Sequence, residues 1–117
     1  MKLSIATEQT GSDLYVIALS GELDLYSCPE FKDELLRVIA EGARHVVIDL
    51  AATTFIDSTA LGVLLRGVQR LRDKSDGRLY VACSDPNICK VFEVTGLDRV
   101  FSVYPSREGA LAEVPSP

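Results

Sequence analysis

Hydrophobic and polar residues follow two different periods along this chain, and the order of these periods predicts its fold. Residues 2 to 9 alternate between apolar and polar as a half-exposed strand does, and residues 14 to 20 form a second strand segment. The turn residues between them predict an antiparallel hairpin. Residues 46 to 50 are a nearly continuous apolar run, typical of a strand buried on both faces of a sheet. Two more strands are predicted over residues 79 to 83 and 100 to 103.

Amphipathic segments alternate with these strands and predict about four helices. The first begins at Ser27-Cys28-Pro29-Glu30, which matches a capping box with proline in the first turn, and it ends at Gly42. The others are predicted over residues 58 to 74, 84 to 95 and 106 to 112. The order β-β-α-β-α-β-α-β-α predicts an α/β fold. Its central mixed sheet combines the N-terminal hairpin with parallel strands, and the helices pack on this sheet.

The segment Asp57-Ser58-Thr59 brings a carboxylate and two hydroxyls to the start of the second helix. Asp57 is a good N-cap, because its carboxylate can accept bonds from the first backbone N–H groups of a helix. Ser58 then falls in the first turn, where we expect its hydroxyl to face solvent. Helix N-termini favour anions, so this position suits a phosphate. The alternative is a serine with a structural role only. The apolar residues of the helix recur at helical spacing: Leu61, Leu64, Leu65, Val68 and Leu71.

Composition predicts one soluble domain over residues 1–117, with a core over about 3–112 and a tail over 113–117. Apolar residues make up 47% and charged residues 25% of the 117, as in ordinary globular proteins. No apolar run is long enough to enter a membrane, and a net charge of -5 argues against nucleic acid as a partner. Three cysteines, an odd number, argue against a disulfide framework and fit a reducing cytoplasm. We therefore expect a cytoplasmic protein.

Signals for catalysis are weak. His45 is the single histidine, and Ser58 lacks the Gly-x-Ser-x-Gly context of a hydrolase nucleophile. Cys83 and Cys89 are six positions apart without a Cys-x-x-Cys pair, so we expect no zinc site, and Cys83 is most simply a small buried residue. No glycine-rich phosphate loop is present in the sequence. We predict a non-enzyme that holds no cofactor or metal.

Three motifs, in this order and spacing, carry a resemblance to a known family. They are Gly21-Glu22-Leu23-Asp24, which is expected to end the second strand, Val47-Ile48-Asp49-Leu50, and the run from Phe55 through Asp57 and Ser58 to Gly62. A weaker match is Val94-Thr95-Gly96-Leu97. Over about residues 3 to 111 the chain resembles the STAS domain, and within it the single-domain anti-sigma factor antagonists, or anti-anti-sigma factors. The resemblance implies a STAS-like fold of the kind predicted above.

The resemblance also implies a function. In that family the unphosphorylated antagonist binds an anti-sigma factor that is a serine kinase, which releases the sigma factor. The kinase then phosphorylates the serine of an Asp-Ser motif, and a PP2C-type phosphatase reverses the modification. Ser58 matches the phosphorylated serine, and Thr59 is a second possible acceptor. Thr59-Ala60 departs from the Ser-Gly that the family often carries. The expected partner-binding residues are Asp24, Thr54, Asp57, Ser58 and Thr59.

Two other interpretations remain open from the sequence. The chain could be a STAS interaction module of a stressosome-like complex or of a membrane lipid-transport system. It could also be a small phosphoryl-accepting or nucleotide-binding protein with its own activity, although the sequence offers no phosphate loop for this.

Overall fold

The predicted order of strands and helices is confirmed by a computed structural model, which describes residues 3 to 115. The strands are β1 (Ser4–Gln9), β2 (Leu14–Leu23), β3 (His45–Ile56), β4 (Arg78–Ala82) and β5 (Ser102–Tyr104). The helices are α1 (Cys28–Ala40), α2 (Ser58–Ser75), α3 (Pro86–Thr95) and α4 (Arg107–Glu113). A short 3-10 helix, Leu97–Arg99, was not predicted, and β5 begins two residues later than expected. Residue 2 of the first predicted strand and residues 116–117 of the predicted tail lie outside the described residues.

The five strands form one mixed sheet in the order β1-β2-β3-β4-β5. β1 pairs with β2 in antiparallel fashion, whereas the β2–β3, β3–β4 and β4–β5 pairs are parallel. Each parallel pair is connected through a helix, as parallel strands require. The mixed-sheet prediction is therefore confirmed, with the hairpin at one edge.

β3 is buried on both faces of the sheet, which explains its continuous apolar run. Ile48 and Leu50 belong to the main core, which is filled from the helices by side chains such as Phe31 and Leu64. Val47 belongs to a smaller core on the opposite face, which α4 covers with Ala110 among other residues. Hydrophobic burial on two faces makes this strand the centre of the fold.

β2 and β3 both extend beyond their predicted ends. The expectation that Gly21-Glu22-Leu23-Asp24 breaks β2 is wrong for its first three residues, because the strand continues to Leu23. The pairing register shifts between Gly21 and Glu22, and Gly21 has a φ of 108°, a conformation that favours glycine. The strands then continue in register to Leu23 opposite Ile56. This irregularity carries both strands to a common end.

The predicted capping box of α1 is also wrong. Ser27 precedes α1 but makes no capping hydrogen bond with its side chain. The Ser27 hydroxyl instead donates to the Glu22 carbonyl at 2.8 Å and accepts from the Asp24 N–H at 2.9 Å. Asp85 and Ser106 do cap α3 and α4, since their side chains accept from the N–H groups of Asn87 and Gly109.

In the described part of the chain, residues 3 to 115, no helix combines the length and apolar character needed to span a bilayer.

We predict that Gly77→Ala destabilises the fold because the backbone leaves no room for a side chain there. A Cβ at Gly77 would lie 2.0 Å from the Arg44 carbonyl oxygen, which accepts the Arg78 N–H in the first β3–β4 bond. Moving this backbone should cost about 2–3 kcal/mol. Gly62→Ala is the matched control, because a Cβ there meets nothing within 4 Å. In urea unfolding the control should gain about 0.5–1 kcal/mol from helix propensity. Equal stability of the two variants would contradict the prediction.

Candidate functional site

The start of α2 is capped by Asp57, as the sequence predicted. Its Oδ1 accepts the Thr59 N–H at 2.9 Å and the Ala60 N–H at 3.3 Å, and the Ala60 N–H also donates to the Asp57 carbonyl at 3.1 Å. The N–H of Asp57 donates to the Leu23 carbonyl at 3.3 Å. The beginning of α2 is therefore fastened to the end of β2.

Ser58 is the first residue of α2, and its side chain is exposed. Within residues 3 to 115 the Ser58 hydroxyl makes no hydrogen bond. Thr59, one position further along, is half-buried, and Ala60 is fully buried. No acidic side chain lies in the first turn itself, so only the Asp57 cap offsets the positive end of the helix dipole. The more accessible of the two hydroxyls is therefore that of Ser58.

Asp24 organises the loop between β2 and α1. Its Oδ1 accepts the N–H groups of Tyr26 and Ser27, both at 3.0 Å, and the Ser27 hydroxyl at 3.1 Å. These bonds, chiefly the one from the Ser27 N–H, hold the pKa of Asp24 below its usual range. Asp24 is therefore ionised, and its hydrogen bonds hold the loop in this conformation.

The thiol of Cys28 is affected by the charges of both carboxylates, Asp24 and Asp57. Its thiol is buried, and its pKa is raised to about 11, first by burial and then by the negative charges of Asp57 and Asp24. The negative charges of the loop after β2 and of the cap of α2 therefore both reach the start of α1.

Thr54 lies near the end of β3, and its side chain is exposed. The Thr54 hydroxyl donates to the Gly21 carbonyl at 3.3 Å, beside the register shift of β2. The structure therefore brings Thr54 and the four other predicted site residues to one edge of the sheet, where β2 and β3 end.

Large apolar side chains are exposed at the same edge, which the sequence analysis did not predict. Leu25 and Tyr26, in the loop after β2, are 60% and 89% exposed, and Phe55, near the end of β3, is 47% exposed. Leu65, included in the helical apolar pattern, is also exposed. It lies seven residues after Ser58 and so on the same face of α2. The sequence did contain a sign of this exposure for Leu25 and Tyr26, because they are two adjacent apolar residues between the end of a strand and the start of a helix.

Side chains suited to holding a metal do not gather in this region. Among residues 3 to 115, no group of three or more His, Cys, Asp or Glu side chains could hold a metal ion. The residues that do gather combine the exposed Ser58 hydroxyl, the carboxylates of Asp24 and Asp57, and exposed apolar side chains. This arrangement suits a protein–protein contact that a covalent modification could change.

Residues 4–110 match the family described as the STAS domain. The chain belongs to the STAS domain family. It is 33% identical over 108 residues to an anti-sigma-B factor antagonist of Staphylococcus epidermidis, covering 92% of this chain and 98% of that protein. The crystal structure of an anti-sigma factor antagonist from Mycobacterium paratuberculosis superposes with a TM-score of 0.88 at 27% identity, over 97% of this chain and 94% of that one.

The Bacillus cell fate determinant SpoIIAA, solved in its phosphorylated form, has the same fold. Its TM-score is 0.74 at 23% identity, over 96% of this chain and 100% of that one. The predicted STAS-like fold and the resemblance to anti-sigma factor antagonists are confirmed, and the relatives support an anti-anti-sigma role. The family consists of regulatory interaction modules.

We predict that the Asp57 cap stabilises this STAS domain through hydrogen bonding more than through its charge. Asp57→Ala removes the acceptor of two N–H groups and should lower the free energy of unfolding by about 1 kcal/mol. Asp57→Asn keeps an acceptor oxygen without the charge and should lose much less. The comparison requires urea unfolding of both variants. Equal losses would show that the charge at the helix terminus is the dominant contribution.

Proposed function

We propose that this single STAS domain is an anti-sigma factor antagonist that binds its anti-sigma factor only while Ser58 is unphosphorylated. The observation that carries the proposal is the free, exposed Ser58 hydroxyl at the start of α2, at the same edge of the sheet as exposed apolar side chains. The relatives supply the class of partner, since they are antagonists of anti-sigma factors. A partner that controls a sigma factor implies a cytoplasmic location.

The binding surface that we propose has an apolar part and a polar part. Leu25, Tyr26, Phe55 and Leu65 provide apolar area, and exposed aromatic side chains of this kind commonly act as anchors in interfaces. Ser58 and Thr54 add hydroxyls, while Asp24 and Asp57 fix the backbone on which the surface rests. Asp24 therefore contributes mainly by holding the loop that presents Tyr26.

Phosphorylation of Ser58 would act through local charge. A phosphoserine carries about -1.5 to -2 charges, and here it would join the carboxylates of Asp57 and Asp24. In the free protein the group stays in water, and the helix dipole favours it by roughly 0.3–1 kcal/mol. In a complex it would lose water and repel acidic groups of the partner. A loss of about 1.4 kcal/mol already weakens binding tenfold.

The phosphoryl group would come from the partner. We infer that the anti-sigma factor is a serine kinase that brings ATP and Mg²⁺, and that a PP2C-type phosphatase removes the phosphate. Phosphoryl transfer needs groups that position the nucleotide and its metal, and residues 3 to 115 contain no cluster that could hold a metal ion. Thr59 is the weaker acceptor, because it is half-buried and lies about 100° further round the helix.

We predict a single phosphate on Ser58 after incubation with the cognate anti-sigma kinase, Mg²⁺ and ATP. Wild-type protein should gain about 80 Da in intact mass. Ser58→Ala should gain nothing and still bind, whereas Ser58→Glu should bind at least about tenfold more weakly. Arg72→Ala, in the last turn of α2, is the control and should bind within about twofold of wild type.

Three results would contradict this assignment. Phosphate on Thr59 alone would move the switch by one residue. Phosphate gained without a kinase would show that the chain has an activity of its own. Equal binding of Ser58→Glu and Arg72→Ala would remove Ser58 from the interface.

We predict that Tyr26 is an anchor of the complex. Tyr26→Ala should weaken binding of the anti-sigma factor about tenfold in calorimetry, because a large aromatic contact is lost. Val94→Ala is the control: Val94 is 75% exposed but lies in α3, away from Ser58 in the chain. Both variants should unfold at nearly the wild-type urea concentration, since both side chains are exposed. Stronger weakening by Val94→Ala would place the interface on α3.

A further inference from the structure

Two cysteines meet where β4 is followed by α3. Cys83 comes directly after β4, Cys89 lies in the first half of α3, and their Sγ atoms are 2.6 Å apart. The Cys89 thiol also contacts the Cys83 carbonyl oxygen at 3.2 Å. Heavy atoms that are not bonded normally rest about 3.5–4.0 Å apart, and a disulfide bond measures about 2.05 Å. A movement of roughly half an ångström would therefore bring the two sulfurs to bonding distance.

The backbone holds both cysteines in place. The Cys83 N–H donates to the Tyr104 carbonyl, and the Cys89 N–H donates to the Asp85 carbonyl, both at 2.9 Å. Asp85 also caps α3 through the Asn87 N–H, which fixes the turn between the two cysteines. The pair is thus arranged by secondary structure at both ends.

The two thiols differ in access, which sets the order of their reactions. Cys89 is partly exposed, whereas Cys83 is buried. Burial and the contact with Cys89 raise the pKa of Cys83 to about 12, so the partly exposed Cys89 is the thiol that reacts first. The third cysteine, Cys28, is buried in the first turn of α1 and makes no sulfur contact among residues 3 to 115.

We propose that Cys83 and Cys89 form an intramolecular disulfide when hydrogen peroxide reaches Cys89. The Cys89 thiolate attacks one peroxide oxygen and breaks the O–O bond, which leaves a sulfenic acid and hydroxide, and the hydroxide takes the proton released by Cys89. The Cys83 sulfur then attacks the Cys89 sulfur, forms the S–S bond and expels a second hydroxide, which takes the Cys83 proton. The two sulfurs together lose two electrons, the peroxide gains two, and two waters are released.

This bond would tie the end of β4 to α3. Ile88 and Phe92 of α3 belong to the main core, so the cross-link would secure a helix that already packs on the sheet. The proposal concerns sulfur chemistry alone and does not depend on phosphorylation of Ser58.

The test treats reduced protein with hydrogen peroxide and measures its intact mass under denaturing conditions. Wild type should lose about 2 Da, keep one thiol that reacts with an alkylating reagent, and regain the mass on reduction. Cys89→Ala should show no such loss. Cys28→Ala is the matched control and should lose about 2 Da at a rate within about twofold of wild type.

Peptide mapping of the wild-type protein provides a readout that needs no variant to fold. Recovery of a cross-linked peptide containing Cys83 and Cys89 supports the proposal. A disulfide that includes Cys28, dimers linked through cysteine, or gains of oxygen without any loss of about 2 Da would overturn it.

Discussion

The parallel pairing of β2 with β3 is the constraint on which the rest of the structure depends. It runs from Leu14 opposite His45 to Leu23 opposite Ile56, and it accommodates its register shifts near Gly21. Because β3 is buried on both faces, this pairing is fixed by the core and cannot slip without exposing apolar side chains. The residues that follow the two strands, Asp24 and Asp57, become neighbours for this reason alone. The juxtaposition of two distant motifs at the candidate site is thus a consequence of one strand register.

Under the proposed switch, the same edge would tolerate a new charge in the free protein and reject it in a complex. Ser58 is exposed, so a phosphate there would keep its hydration, and its repulsion from nearby carboxylates would be screened by water and salt. An interface removes that water, and charge interactions strengthen as the local dielectric constant falls. The cost of the modification would therefore appear in binding much more than in folding. No conformational change is needed for such a switch.

Features fixed by periodicity and by the helix backbone were predicted well, whereas features fixed by loop contacts and by what covers a side chain were not. The element order follows from hydrophobic periodicity, and the Asp57 cap follows from the adjacent backbone N–H groups of α2. Both could therefore be predicted from the sequence. The Ser27 capping box failed because the Ser27 oxygen accepts from the Asp24 N–H, three residues earlier in the loop, and not from an N–H of α1. Leu65 matched the apolar period of α2 but is exposed, since no neighbouring element covers it. The Cys83–Cys89 contact has no sequence motif, because the turn capped by Asp85 creates it.

Ser58 and Cys83, the residues to which the two proposals assign chemistry, both follow parallel strands of the sheet. They lie at its carboxyl edge, where ligands and catalytic groups usually lie in α/β proteins. The edge is stepped, however. β4 ends opposite Asp49, while β3 continues for seven more residues to Ile56, or about 20 Å at the rise of a parallel strand. Ser58 therefore lies at the far end of the projecting strands, and Cys83 lies at the base of the step, where α3 contacts β3. The two proposed chemistries would therefore lie at separate places on one edge, because the strands have unequal lengths.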